Sequence, residues 1–298
     1  MKKYEAVQKK ISEVLIFCFL VFVLAGCATM PVIRESDYFT FLSPDNDMYI
    51  TLDVQKNKST ITNLLKKMSS EIKDKEINQI IDRTKTVYIG LSVGSDTKKQ
   101  KFEICAVGNY PQIITSALTK AKGWTKNVVT AMDADGKSKR NAVYKHSSGI
   151  SLALLYQSVI FICSDSVESN IASFYKPSSF SWPDYALETL KRNNNDEKIR
   201  AYIPNPEVLL PKILGLGVQL ALDDACAVCS ELFVPGLTGQ YLTDIDLYFK
   251  DARAVKAAFA LLKLASLKSG IEVIKISETQ LAIKGFVLSL DTLPGMSF

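Results

Sequence analysis

The chain reads as an α+β protein of two related β-α-β-α-β-β halves, with mainly antiparallel sheets and helices packed on one side. Three observations predict this. In TDIDLYF, Thr243, Ile245, Leu247 and Phe249 point one way while Asp244, Asp246 and Tyr248 point the other, the period of a strand with one buried face. Strand-like runs come in pairs closed by short polar turns such as Ser277 to Gln280, which favours antiparallel pairing. Between such runs, Ala252 to Lys268 spaces its apolar residues at helical intervals.

The composition leaves room for a packed core. Of 298 residues, 47% are hydrophobic and 22% charged, a balance that excludes a disordered chain or a coiled-coil rod. The net charge of +5 falls to +3 from Cys27 onward, because Lys2, Lys3, Lys9 and Lys10, offset by Glu5 and Glu13, precede that point. So weak an excess, spread over short loop runs such as Lys137 to Arg140, gives no basic face, and nucleic acid is not expected as a partner.

The N-terminus comes first in chain order and carries the strongest signal. A basic stretch leads into Leu15 to Ala25, entirely apolar, too short for the roughly 20 residues of a membrane span but suited to a signal sequence. Leu24-Ala25-Gly26-Cys27 follows and resembles the lipobox of bacterial lipoproteins. The resemblance implies removal of residues 1–26, acylation of Cys27 by diacylglycerol and further acyl groups such as palmitate, and attachment to a cell membrane or outer membrane on its extracytoplasmic, periplasmic side. Two or more acyl chains hold a protein on a bilayer where one does so only marginally. Residues 27–37 then form the lipid-anchored tether.

The first half, 38–176, reads as a strand at Met48 to Val54, helices at Ser59 to Met68 and Lys73 to Asp82, and strands at Thr86 to Val93 and Lys101 to Val107. A helix at Pro111 to Lys122 and strands from Asn127 to Cys163 complete it. A linker rich in Pro, Ser and Asn spans 177–198. The second half, 199–298, reads as a strand at Lys198 to Ile203, a helical region at Pro206 to Phe233 and a strand at Gln240 to Phe249. Then come the helix at Ala252 to Lys268 and strands at Ile271 to Ile276 and Gln280 to Leu290. The internal repeat rests on this shared order and on the echo of Ile114 to Trp124 in Leu261 to Ile271, each closing a helix with Gly before a strand.

Of the common motifs of catalysis, Walker A, GxGxxG and HExxH do not occur, and GxSxG spacing occurs once, at Gly90 to Gly94. Ser70 to Lys73 and Ser95 to Lys98 have SxxK spacing without companion motifs, and Asp133 to Gly136 suits a hairpin turn better than a calcium loop. His146 reads as a strand-end residue. With one histidine and a single CxxC, no metal site and no cofactor is expected. Cys226 and Cys229 form that CxxC and are the candidate redox or disulfide pair; Cys105 and Cys163 sit in apolar runs and read as buried thiols, with a bond between them as the alternative.

Two segments bear on function. Glu207 to Phe233 is very apolar, and Ala252 to Lys268 places Arg253, Lys256 and Lys263 on a narrow stripe beside a wide apolar arc, as an in-plane membrane helix does and as a helix packed on a sheet also does. With its lipobox, the chain is similar to amphipathic-helix lipoproteins of spirochaete outer membranes, which insert helices into bilayers. The resulting reading is a lipid-anchored, non-enzymatic cell-envelope lipoprotein that meets a membrane surface, a lipid or an envelope protein through apolar amphipathic helices. Its alternatives are a structural or assembly adaptor with the lipid as sole membrane contact, and a periplasmic hydrolase or thiol-redox enzyme. Replacing the acylated thiol tests the anchor: a Cys27→Ala chain should keep residues 1–26, and mass spectrometry reads the difference directly.

Overall fold

The computed structural model describes residues 35–62, 74–92, 101–111, 123–176, 182–191, 198–207, 209–210, 214, 220–232, 240–266 and 271–289. The lipobox, the expected helix at Pro111 to Lys122 beyond its first residue, and both SxxK pairs lie outside these residues. Among the described residues, twelve strands and their helices divide between two compact units, one made of residues 1–46 and 52–181, the other of residues 47–51 and 182–297. The class is α+β, and every described strand pairing is antiparallel.

In the first unit a 3-10 turn, η1 (Glu35–Phe41), begins inside the stretch read as tether. Residues 58–62 are helical, and α1 (Asp74–Arg83) buries Ile77, Ile80 and Ile81, the i, i+3, i+4 set that defines one helix face. The sheet runs in the order β2 (Thr84–Ser92), β3 (Lys101–Gly108), β7 (Val159–Cys163), β6 (Ser151–Leu155), β5 (Ser138–His146), β4 (Trp124–Met132). Strand β7 sits centrally and all five of its residues are buried. Tyr88, Cys105 and Phe161 align across β2, β3 and β7 and so share one face. On that face Tyr38 stacks on Tyr88, Phe41 meets Phe161 edge-on, and Phe174 of α2 (Glu168–Tyr175) packs against both Phe41 and Phe161.

A single carboxylate ties these covering segments to the sheet. Glu103 on β3 accepts the Ser43 backbone N–H at 2.7 Å and the side-chain amides of Asn170 at 3.2 Å and Asn46 at 3.4 Å. Asn170 is itself buried, donates to the Phe41 carbonyl at 2.9 Å and accepts from the Cys163 thiol at 3.3 Å. The segment from Phe41 to Asn46 is thereby fixed to β3 and α2 together.

The second unit carries the order β11 (Glu272–Lys275), β12 (Gln280–Ser289), β10 (Gln240–Phe249), β9 (Leu222–Glu231), β8 (Ile199–Pro204), β1 (Met48–Asp53). Where β12 passes Asp244 the register shifts, with Gly285 at φ +75° donating its N–H to Asp244 and Lys284 pairing with the same carboxylate at 3.2 Å. A positive φ at a bulge is why glycine stands there.

Three sequence expectations change. Pro206 to Phe233 is not a helical region throughout: helix is present at Leu209 and Leu210, but 222–231 is strand β9, so the expected β-α-β-α-β-β order is not reproduced in this unit. Strand β9 lies between β8 and β10 and buries residues on both faces, which removes the alternation that marks a one-sided strand. The stretch 177–198 is not linker alone, since α3 (Asp184–Leu190) forms within it after Pro183 and buries Ala186 and Leu190. Nor do helices pack on one side only. Helix α4 (Ala252–Ser266) sends Val255, Ala258 and Leu262 into a core with Ala225, Ala227, Ile245, Leu247 and Leu281, while α3 covers the opposite face, where Tyr202, Cys226 and Asp246 align.

The Glu103 hub has a measurable weight. Glu103→Ala removes the acceptor of three hydrogen bonds, two of them from the amides of the buried Asn46 and Asn170, and should lower the urea unfolding free energy by about 1–3 kcal/mol. Lys101→Ala, which removes an exposed pair with Asp165, should cost less than about 1 kcal/mol in the same assay.

Candidate functional site

The structure does not bring Cys226 and Cys229 together. Both are buried free thiols on β9, but Cys226 aligns with Tyr202 and Asp246 on the α3 face, whereas Cys229 aligns with Thr243 on the α4 face. Three strand residues span about 10 Å, beyond the reach of a disulfide without backbone movement. Burial pushes the Cys226 thiol up to about 11 and raises that of Cys229, the reverse of what a reactive thiolate requires. Cys105 and Cys163 are likewise buried free thiols, raised chiefly by desolvation.

The remaining sequence candidates are local. Asp133 caps its own turn, its carboxylate accepting the N–H groups of Asp135 at 3.1 Å and Lys137 at 2.8 Å, with Gly136 at φ +76°. His146 ends β5 against the Trp124 ring, with Nδ1 3.1 Å from the Ser148 N–H and 3.0 Å from its hydroxyl. Among the described residues no group of three His, Cys, Asp or Glu side chains is placed to hold a metal.

Two constellations do emerge in the second unit. The first was hidden in the sequence. Asp224 accepts from both Tyr185 of α3 and Tyr202 of β8, the latter at 2.9 Å, and the Tyr185 ring stacks on Tyr248 with centroids 4.0 Å apart. Burial raises all three phenols, that of Tyr248 to about 12, and the Asp224 carboxylate adds to the rise at Tyr185 and Tyr202. This cluster clamps α3 onto the sheet. The sequence signal was the even-numbered face of β10, where Asp246 and Tyr248 alternate with core residues.

The second constellation is the outward side of α4. At 100° per residue, Val255, Ala258 and Leu262 define the buried side. The opposite pole carries Ala257, Ala260 and Leu264 beside Arg253, with Leu261 on one flank and Lys256 and Lys263 on the other. Leu264 is 67% exposed and Leu261 40%. An apolar residue faces outward where a water-facing helix ordinarily places charge, and α4 contains no acidic residue at all. Its N-terminus is capped by Asp251, which accepts the N–H groups of Arg253 and Ala254 at 2.8 Å each. No described helix is long and apolar enough to cross a membrane.

The family model of the outer membrane-associated lipoprotein TP0453 matches residues 34–293, nearly the whole chain. The protein belongs to that family. Crystal form III of TP0453 resembles this fold with a TM-score of 0.61, covering 86% of this chain and 96% of that one, and crystal form I does so with 0.62, covering 86% and 94%. Each shares 16% identity with it, so these likenesses speak for the fold alone. No curated protein matches the chain in sequence. Membership of the TP0453 family makes the protein a membrane-associated lipoprotein located outside the cytoplasm. Both constellations fall inside the matched residues; Cys27 precedes them.

The tyrosine cluster predicts an alkaline response. Phenols whose folded values exceed the ordinary value of about 10 contribute stability that is complete below that pH and lost as pH climbs through the folded value. The unfolding midpoint should therefore fall between about pH 10 and 12. In Asp224→Asn the phenols should ionise at lower pH, followed by phenolate absorbance, and the alkaline decline should be shallower because less of the upward shift remains.

Proposed function

We propose that this TP0453-family protein is an envelope lipoprotein, acylated at Cys27 after loss of residues 1–26, whose non-enzymatic body lies against the bilayer through α4. One observation carries the reading: Leu264 and Leu261 are exposed on the outward side of a helix that already fills a core with its other side. A helix with both an inner and an outer apolar side has two partners, and for a protein tethered at a membrane the second is the bilayer surface. Residues 28–34, between the acylated cysteine and η1, reach at most about 25 Å, which keeps the body within contact of the leaflet that holds the acyl chains. The non-enzymatic reading is supported by the placement of the candidate catalytic residues: the CxxC thiols lie on opposite faces of β9, and His146 is held by its own turn.

A tryptophan in place of the exposed leucine reads this contact without interference from the anchor. In acylated protein reconstituted in vesicles whose lipid tails carry bromine, Leu264→Trp fluorescence should be quenched, because the ring enters the acyl boundary. The native Trp124 and Trp182, which are buried in the body, supply an unchanging background. Emission identical to that in unbrominated vesicles would leave the acyl chains as the sole membrane contact and favour the adaptor.

A further inference from the structure

We infer that α4 selects the headgroup chemistry of the surface it meets, and that this chemistry is anionic phospholipid. The inference rests on the membrane contact just proposed and adds to it the identity of the lipid. Arg253, Lys256 and Lys263 are all exposed and all border the apolar pole, Arg253 at its N-terminal end and the two lysines, one heptad apart, along a single flank. Among the described residues no carboxylate lies within ion-pair distance of Lys256 or Lys263, and the helix itself supplies none. The nearby Asp251 is turned to the helix N-terminus, where two backbone N–H groups hold its carboxyl below the usual range. The Lys263 ammonium lies 5.5 Å from the centre of the Phe259 ring one turn back, so its stem lies along the helix surface on the flank beside the apolar pole.

This arrangement puts three cations beside the depth at which Leu261 and Leu264 would enter lipid; Arg253 interacts with the Asp251 carboxylate, and α4 itself carries no acidic side chain to offset Lys256 and Lys263. On a zwitterionic surface the cations gain little, since the phosphate of each headgroup is already paired with its own ammonium. On an anionic surface each cation held near the headgroups favours docking about fivefold, so three favour it on the order of 100-fold, declining as salt is added. The occupant of this helix face is therefore a bilayer of anionic phospholipid.

The test uses the acylated full chain carrying Leu264→Trp, in brominated vesicles of phosphatidylcholine alone or with phosphatidylglycerol added. Docking should strengthen on the order of 100-fold with phosphatidylglycerol, and the gain should vanish when Arg253→Gln, Lys256→Gln and Lys263→Gln are combined. All three side chains are exposed, and an unchanged urea midpoint confirms that the combined variant remains folded. Equal quenching in both vesicles, or a preference that survives the triple substitution, would overturn the headgroup assignment while leaving membrane contact in place. Quenching in neither vesicle would overturn the contact and the assignment together.

Discussion

Strands buried on both faces set the terms for this structure. Val159 to Cys163 in β7 are all inaccessible, and β9 buries Ala225 and Ala227 on one side and Cys226 on the other. A strand of this kind contributes backbone pairing and apolar area at once, but it obliges the chain to cover the sheet twice. In the second unit the covers are α4 and α3, on opposite faces of the same strands. In the first, η1 and α2 cover one face and are fastened there by the Glu103 carboxylate. The short covers η1, α2 and α3 are held by polar contacts at their margins as well as by apolar packing: Asn170 with the Phe41 carbonyl and with Glu103 in one unit, Tyr185 with Asp224 in the other.

These marginal contacts explain why buried and half-buried polar groups recur beside the apolar cores. Packing area alone does not fix where a short helix sits, since α2 and α3 span eight and seven residues and offer few core side chains. A hydrogen bond to a carboxylate is directional, so it fixes what apolar area leaves free. The thiols are part of the same packing. Cys163 donates to Asn170, and Cys226 lies on the face of the tyrosine cluster, beside Tyr202 in register.

Elements with one buried face were legible in the sequence, and those with two were not. Strand β10 displays its alternation openly, and α4 its helical period, so both stand close to where the pattern put them. Strand β9 reads as helix in the sequence because Ala225, Cys226, Ala227 and Cys229 show no alternation when both faces are covered, and Asp223 and Asp224 fit an interruption of a helix. Helix α3 was lost in a stretch dominated by Pro, Ser and Asn, although Pro183 followed by Asp184 is a start signal for a helix. Of the candidate site, the cationic stripe of α4 could be read from spacing alone. Which apolar residues faced outward could not, because that depends on which side the sheet claims.

Anchorage changes how strong the α4 contact has to be. On the proposed reading, lipid anchorage holds the body near its leaflet at an effective concentration in the millimolar range, so a contact of about 4 kcal/mol is half occupied. Burying what remains exposed of Leu261 and Leu264 supplies about 2–3 kcal/mol, and three cations on an anionic surface about 3 more. The leucines alone fall short of the threshold, and the cations alone do too. Together they pass it, which is why a helix with so small an outward apolar area can act as a membrane contact on an acylated protein when it would not on a free one.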